Sequence, residues 1–566
     1  MTRIPVVYAT RVECLSLLMV CAAAAVVSAT APAVRSPITG TQATTAAIRA
    51  AIRTRLPNEL DRRLASVELN RLYVTTVPLW IDKDDRPSHG AREALTLFRR
   101  AADEGLEPAH YDCPALDRLA AALVSAPSHD AERIAAFDVA VSAALLRYFR
   151  DLHLGRIDPR TIGFRVRLPD DSHDFVALVR AAAAEDRVAD TAADLAPALH
   201  QYRALRTALA KYRTLGSAGV EVPLSATATV HPGAPYGGLP ALTRHLRALG
   251  DLPPDAAPPS EPSIYEGAVV TAVERFQARH GLEADGVLGP ATHAALRVPI
   301  AWRVRQIELA LERLRWLPDL GRQRFIALNI PMFTLWAWDS IPPTGAPSFG
   351  MRAIVGRALN TQTPVFVSEM RQVVFRPYWN VPRSILRKEI LPLLARDPSY
   401  LRRQDMEMVR GPGDDARVEE DTAQNQLLLR QGVLRLRQRP GPRNSLGLAK
   451  FVFPNADDVY MHGTPAQALF SRARRDFSHG CIRLEDPARF AVWTLRDPNE
   501  WSPDQVRNAM DGPQSRRVDL ARPMPVTVLY TTAVVHPDGA VAFYDDVYRH
   551  DARLEAALAK GYPFAP

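Results

Sequence analysis

The chain has 566 residues, a formal net charge of +8 and 47% hydrophobic residues. It is too long for one hydrophobic core and too apolar to be disordered, so several folded domains are expected. The basic balance suits an anionic partner, whether nucleic acid, membrane or an acidic polymer, and does not choose among them.

The N-terminus reads as an export segment. Arg3 and Arg11 precede an uncharged run from Cys14 to Ala33, whose apolar centre is Leu15 to Val27, and small residues (SATA) follow it. This is the pattern of a secretory signal. At nearly 20 residues the run is also long enough for an uncleaved anchor, so residues 1–33 are read as a signal peptide or an N-terminal anchor. Cys14 and Cys21 fall inside it, leaving Cys113 and Cys481. One disulfide between those two would be a poor staple for so large a chain, and two free thiols are expected. One of them then needs an explanation.

Residues 45–255 read as a helical domain. ALTLFRRAADEGL (94–106) sets Leu95, Leu97, Phe98, Ala101 and Leu106 near one face. DVAVSAALLRYFRDLHLG (138–155) repeats the pattern with Gly155 as its C-cap, and 176–212 extends it. HPGAPYGGLP and DLPPDAAPPSEP are turn or linker segments. A small unit follows at 256–300. Val269, Val270, Val273 and Phe276 recur at helical spacing, DGVLG turns, and Pro290 opens a second helix.

Beyond 300 the pattern changes. IELALERLRWLP (307–318) is helical, whereas FIALNIPMFTLWAW (325–338), MRAIVG (351–356), the segment 363–379, FVFPNADDVYMH (451–462) and PVTVLYTTAVV (525–535) read as strands. Between them, SILRKEILPLLARDPSYLRRQDME is charged and helical, so 384–440 is read as a cap inserted in a β-rich domain spanning 301–550. Short helices are expected near 487–496 and 502–510.

FSHGCIRLEDP (477–487) holds the cysteine that asks for a role. A thiol nucleophile needs a base and a group that orients the base. His462 ends a predicted strand, and Cys481 follows a loop of about 15 residues, so the two meet if both edges come together. The Gly463 carbonyl or a neighbouring backbone group would hold the second ring nitrogen. Gly480 permits a tight turn that frees the Gly480 and Cys481 amides for an oxyanion. His479 would support the loop, and Arg483 would receive a carboxylate and favour the thiolate. Two other readings stay open on these residues alone: an inert buried cysteine, and a zinc site of His462, His479 and Cys481. Serine chemistry has no GxSxG or SxxK set to support it.

HGTPAQALFSRARRDFSHGCIRLEDP (462–487) resembles the signature of the L,D-transpeptidases: a histidine, 15 intervening residues, then SHGC and a basic or amide residue close behind. RRQDMEMVR, PGPRNSLGLAKFVFPN, VVFRPYWNVPRSI and FIALNIPMFTLWAW resemble the large Gram-negative periplasmic branch with a capped catalytic domain. AVVTAVERFQARHGLEADGVLGPATHAALRV is similar to the peptidoglycan-binding domain of these enzymes, and the helical region before it more loosely resembles their scaffold. The resemblance implies a multidomain α+β fold: helical scaffold, small three-helix peptidoglycan-binding domain, and β-rich catalytic domain with a helical cap.

It further implies Cys481 as nucleophile and His462 as base, Ser478, His479 and Gly480 in the conserved loop, and Arg483 at the basic position. Tyr378, Trp379 and Asn380 would form a substrate wall. Shorter relatives carry Asn where this chain has Arg483, which leaves that contact open. The implied reaction is formation of 3→3 cross-links from tetrapeptide stems through a cysteine thioester, without metal or cofactor, and with carbapenem sensitivity. Hydrolysis by water, lipoprotein attachment or release, and a binding-only module are the alternatives. The implied partners are peptidoglycan stems, glycan strands held by 264–298 and cell-wall synthesis proteins, with no nucleic acid. The implied location is the periplasm, with a tether to the inner membrane if residues 1–33 are not cleaved.

Overall fold

The computed structural model describes residues 42–560 apart from 55–58, 76, 126–129, 167–172, 220–227, 257–263, 319–322, 341–344, 360 and 498. The export segment therefore lies outside the described residues. Those described belong to one compact unit, Gly40–Pro566. Among them, no helix is long and apolar enough to cross a membrane.

Helices form first along the chain: α1 (Gln42–Thr54), α2 (Glu59–Leu72), α3 (His89–Arg99), α4 (Cys113–Ser125), α5 (Ala131–Leu154), α6 (Phe175–Glu185), α7 (Val188–Leu195) and α8 (His200–Ser217). α5 is the central one. Asp130 caps its start by accepting from the Arg133 N–H, and Gly155 ends it at φ +80. A side chain at Gly155 would collide with Trp316 and Glu312. Two carboxylates on α5, Asp138 and Asp151, are buried. Asp138 accepts from the Leu79 and Trp80 N–H groups, and Asp151 accepts from the Tyr111 hydroxyl at 2.9 Å. Buried carboxyls are tolerated because each is hydrogen-bonded.

α9 (Leu239–Leu249), which the sequence pattern assigns to the helical domain, packs with α10 (Ala268–Arg279) and α11 (Pro290–Leu296) of the small unit, and α12 (Ile300–Leu314) leads out of it. Phe276, Val273 and Val269 pack with Leu242 and Leu246 of α9, Tyr212 of α8, Leu311 of α12 and Phe543 near the C-terminus, forming one shared core.

Fifteen strands follow among the described residues. They are β1 (Phe325–Asn329), β2 (Thr334–Trp338), β3 (Phe349–Gly356), β4 (Phe366–Phe375), β5 (Trp379–Asn380), β6 (Met406–Arg410), β7 (Arg417–Glu419), β8 (Arg435–Gln438), β9 (Ala449–Val452), β10 (Met461–His462), β11 (Asp476–Ser478), β12 (Ile482–Leu484), β13 (Arg516–Leu529), β14 (Ala533–Val535) and β15 (Val541–Phe543). Nine pair in the order β11-β3-β12-β10-β9-β4-β13-β1-β2, and a β2–β3 ladder closes the ring. Val373, Phe451, Met461, Ile482 and Val526 fill one face with the barrel core.

Several segments read as single strands are split, among them PVTVLYTTAVV, which divides into the end of β13 and β14. FIALNIPMFTLWAW turns back at 330–333, so β1 pairs antiparallel with β2. FVFPNADDVYMH breaks after Val452, where Pro454 cannot donate to a ladder and the Asn455 side chain accepts from the Asp457 and Val459 N–H groups. β9 and β10 then pair antiparallel, Phe451 opposite Met461.

The cap at 384–440 joins helices, including a π-turn at Leu386–Ile390, to a second sheet, β5-β8-β6-β7. It has its own core of Leu386, Leu394, Met408, Leu429 and Leu436.

Candidate active site

Register decides which side chains meet. β10 and β12 run parallel, with Met461 beside Ile482 and His462 beside Arg483. Since side chains alternate, Met461 and Ile482 enter the core while His462 and Arg483 stand on the other face. Tyr460 and Cys481, one residue earlier on each chain, continue that second face. β9 places Lys450 opposite His462. Thus Lys450, Tyr460, His462, Cys481 and Arg483 share one side of the sheet.

Cys481 is a free, half-buried thiol. Its loop is held by short bonds. The Ser478 hydroxyl donates to the Cys481 carbonyl at 2.5 Å and accepts from the Gly480 N–H at 3.1 Å. The Thr363 hydroxyl donates to the Gly480 carbonyl at 2.8 Å, and that of Thr361 to the Ser478 carbonyl at 3.2 Å. Gly480 sits at φ +114, where a side chain would be strained. Of the two amides expected to bind an oxyanion, that of Gly480 is occupied by Ser478. The Cys481 N–H has no partner among the described residues.

His462 is 4% exposed, and its Nδ1 lies 2.5 Å from the Gly463 carbonyl. A carbonyl only accepts, so Nδ1 carries the proton and Nε2 keeps a lone pair. Gly447 packs against this turn so closely that a Cβ there would meet the Gly463 backbone. Burial, then the charges of Arg483 and Lys450, push His462 down to about 3, against the pull of the Gly463 carbonyl. The imidazole is neutral.

Burial pushes the Cys481 thiol up, opposed by the backbone and hydroxyl of Tyr460 and by Lys450 and Arg483. Tyr460 itself, raised by burial and by the nearby sulfur, keeps its proton and can donate it. Lys450 Nζ lies 3.8 Å from the Tyr460 ring centroid. At rest a thiol and a neutral imidazole stand on this one face of the sheet, with the Asp458 carbonyl 4.0 Å from the sulfur.

His479 does not join this face chemistry. Its Nε2 lies 2.6 Å from Oε1 of Glu389 in the cap. Among the described residues no group of three or more His, Cys, Asp or Glu gathers as a metal site. Tyr378, Trp379 and Asn380 find their partners in the cap: Arg437 lies over the Tyr378 ring, β5 pairs with β8, and Asn380 accepts from Arg435. Sequence reasoning missed Tyr460, Lys450, Thr363 and Glu389. Only Tyr460 left a local trace, two residues before His462 on a strand.

Residues 323–518 match the family profile described as "L,D-transpeptidase catalytic domain". The chain carries an L,D-transpeptidase catalytic domain. Residues 68–209 match a "Scaffold domain" and 238–296 a "Putative peptidoglycan binding domain", both ahead of the transpeptidase domain. The chain is 27% identical over 256 residues to a "Putative L,D-transpeptidase" of Haemophilus influenzae, a match covering 45% of this chain and 49% of that protein. The chain thus spans about half the length of this relative of its L,D-transpeptidase domain.

Proposed function

We propose that the protein is a peptidoglycan L,D-transpeptidase that makes 3→3 cross-links between diaminopimelate residues. The observation that carries this is the shared face of Cys481 and His462, with Nδ1 of His462 tied to the Gly463 carbonyl. Nε2 of His462 takes the thiol proton as Sγ attacks the L-centre carbonyl of diaminopimelate in a tetrapeptide stem. The Cys481 N–H stabilises the oxyanion. The C–N bond then breaks, the departing D-Ala amine takes the proton from His462, and a thioester remains. The side-chain amine of a second stem attacks the thioester, gives its proton back through His462 and restores the thiol. Ser478 and Gly480 shape the loop and His479 braces it against the cap, while Tyr378, Trp379 and Asn380 border the substrate cleft. No step calls for a metal or cofactor.

Residues 264–298 hold glycan strands and raise the local concentration of stems. Carboxylate-rich peptidoglycan accounts for the net charge of +8 without nucleic acid. The enzyme works in the periplasm of a Gram-negative cell, after signal cleavage or on an inner-membrane tether.

Covalent trapping tests this reading. Wild type incubated with a tetrapeptide stem whose diaminopimelate amine is blocked gains the mass of the tripeptide acyl group on Cys481 and releases one D-Ala. Cys481→Ala gains nothing. Equal D-Ala release by both proteins would overturn the proposal.

A further inference from the structure

Two arginines beside the nucleophile lack the carboxylates that arginines on this rim otherwise find. Arg352 pairs with Glu485 and Arg474 with Asp476. Arg483 and Arg357 have no ion pair among the described residues. Nε of Arg483 is buried with no hydrogen-bond partner. Arg357 leaves the end of β3 at the catalytic loop, its N–H donating to the Ser478 carbonyl at 3.0 Å. β12 pairs antiparallel with β3, Arg483 opposite Ile354, so Arg357 follows at the end of the strand beside Arg483. After burial, Arg357 is what most disfavours the charged form of Arg483. Like charges held together with an orphaned N–H are costly unless an anion completes them.

We propose that Arg357 and Arg483 form a clamp for the C-terminal carboxylate of the donor stem, the carboxylate of the residue that leaves. The inference rests on the acyl-transfer reading above and adds its donor specificity. Reach selects this carboxylate. Arg483 stands two residues from Cys481 on one strand, about 7 Å along the chain, and β3 is the adjacent strand, about 5 Å away. The terminal carboxylate of a tetrapeptide donor is three bonds from the scissile carbonyl carbon, roughly 4 Å. The far carboxylate of diaminopimelate is six bonds away. A pentapeptide stem carries its terminal carboxylate one residue too far. The planar guanidinium fork suits bidentate capture of a carboxylate.

The clamp also reaches the base. Arg483 is the charge that most depresses His462. A carboxylate seated on Arg483 cancels that repulsion and raises the imidazole toward a working value once the correct donor is bound. Departure of the terminal residue removes the anion and releases the clamp.

Three synthetic donors test the inference on the full-length protein: a tetrapeptide stem with its C-terminus free, one amidated at the C-terminus, and one amidated on the far diaminopimelate carboxylate. Intact-protein mass follows the rate of acylation of Cys481. Wild type is expected to take the first and third at similar rates and the second at least about tenfold slower. Arg357→Gln, a change at an exposed side chain, and Arg483→Gln should each shrink that gap by slowing the free-carboxylate donor. Equal rates with all three donors would overturn the clamp and leave acyl transfer standing. Slowing only by the diaminopimelate amide would overturn it by assigning the arginines to the other carboxylate. No adduct with any donor would remove the enzyme reading and the clamp together.

Discussion

At the scale of single residues the site is a thiol kept protonated and an imidazole kept neutral by the same burial. Tyr460 is the residue that shifts this balance toward attack, because its hydroxyl faces the sulfur and holds its own proton. Tyr460→Phe should push the Cys481 thiol further up and slow acylation about tenfold, the value of a hydrogen bond to a charged group. Thiolate absorbance at 240 nm, read against Cys481→Ala, checks it. In wild type the absorbance should rise only above about pH 8.5, the ordinary thiol value. In Tyr460→Phe it should rise later still, and an unchanged titration would count against the role. His462 and Cys481 were legible because SHGC and a histidine separated from it by 15 residues form a local pattern. Lys450 and Arg357 were not, because β9 and β3 bring them from elsewhere in the chain through pairing that no local pattern encodes.

Among elements, α12 is joined to the loop after α5 by a buried carboxylate. Glu312 of α12 accepts from the Ile157 N–H at 3.0 Å and from Arg156 Nε at 3.3 Å and Arg315 at 3.1 Å, with no exposed surface. Burial alone would raise its pKa, but Arg156 and Arg315 hold it below the usual range. Its contribution is therefore present above the unfolded value of about 4.3 and is lost as pH falls through the lower folded value. Glu312→Ala should cost about 3–5 kcal/mol in urea unfolding at neutral pH, since it strands two buried guanidiniums. A loss under 1 kcal/mol, the worth of a surface pair, would contradict this role for Glu312.

The cap belongs to this scale too. Glu389 lies in the π-turn and contacts His479, two residues from the nucleophile. Hydrogen exchange in 384–396 should slow when Cys481 carries a covalent ligand and quicken in Glu389→Ala. No change in either would make the cap a static extension. Its helices were visible as charged apolar repeats. Its sheet was hidden in MEMVR, RVE and RLRQ, where arginines pair with glutamates across strands, as Arg437 does with Glu407 at 2.6 Å.

For the whole molecule, the peptidoglycan-binding unit is not a detachable bead. Phe276 and Val273 share a core with α8, α12 and β15, and Arg279 pairs with Asp251 at 2.5 Å while donating to the Val541 carbonyl. The order helical scaffold, small helical unit, β-rich domain was readable from the change in hydrophobic period near residue 300. The interlocking was not, because its contacts join residues such as Arg279 and Val541 that lie far apart in the chain. Such a frame would hold stems captured by one unit at a fixed place relative to Cys481. The central claim is that this cysteine transfers an acyl group from one stem to the amine of another. Mass spectrometry of the products from purified tetrapeptide muropeptide tests it most directly. Wild type should yield dimers joined between two diaminopimelate residues, with none from Cys481→Ala. Tripeptide monomers alone, or the same products from both proteins, would contradict it.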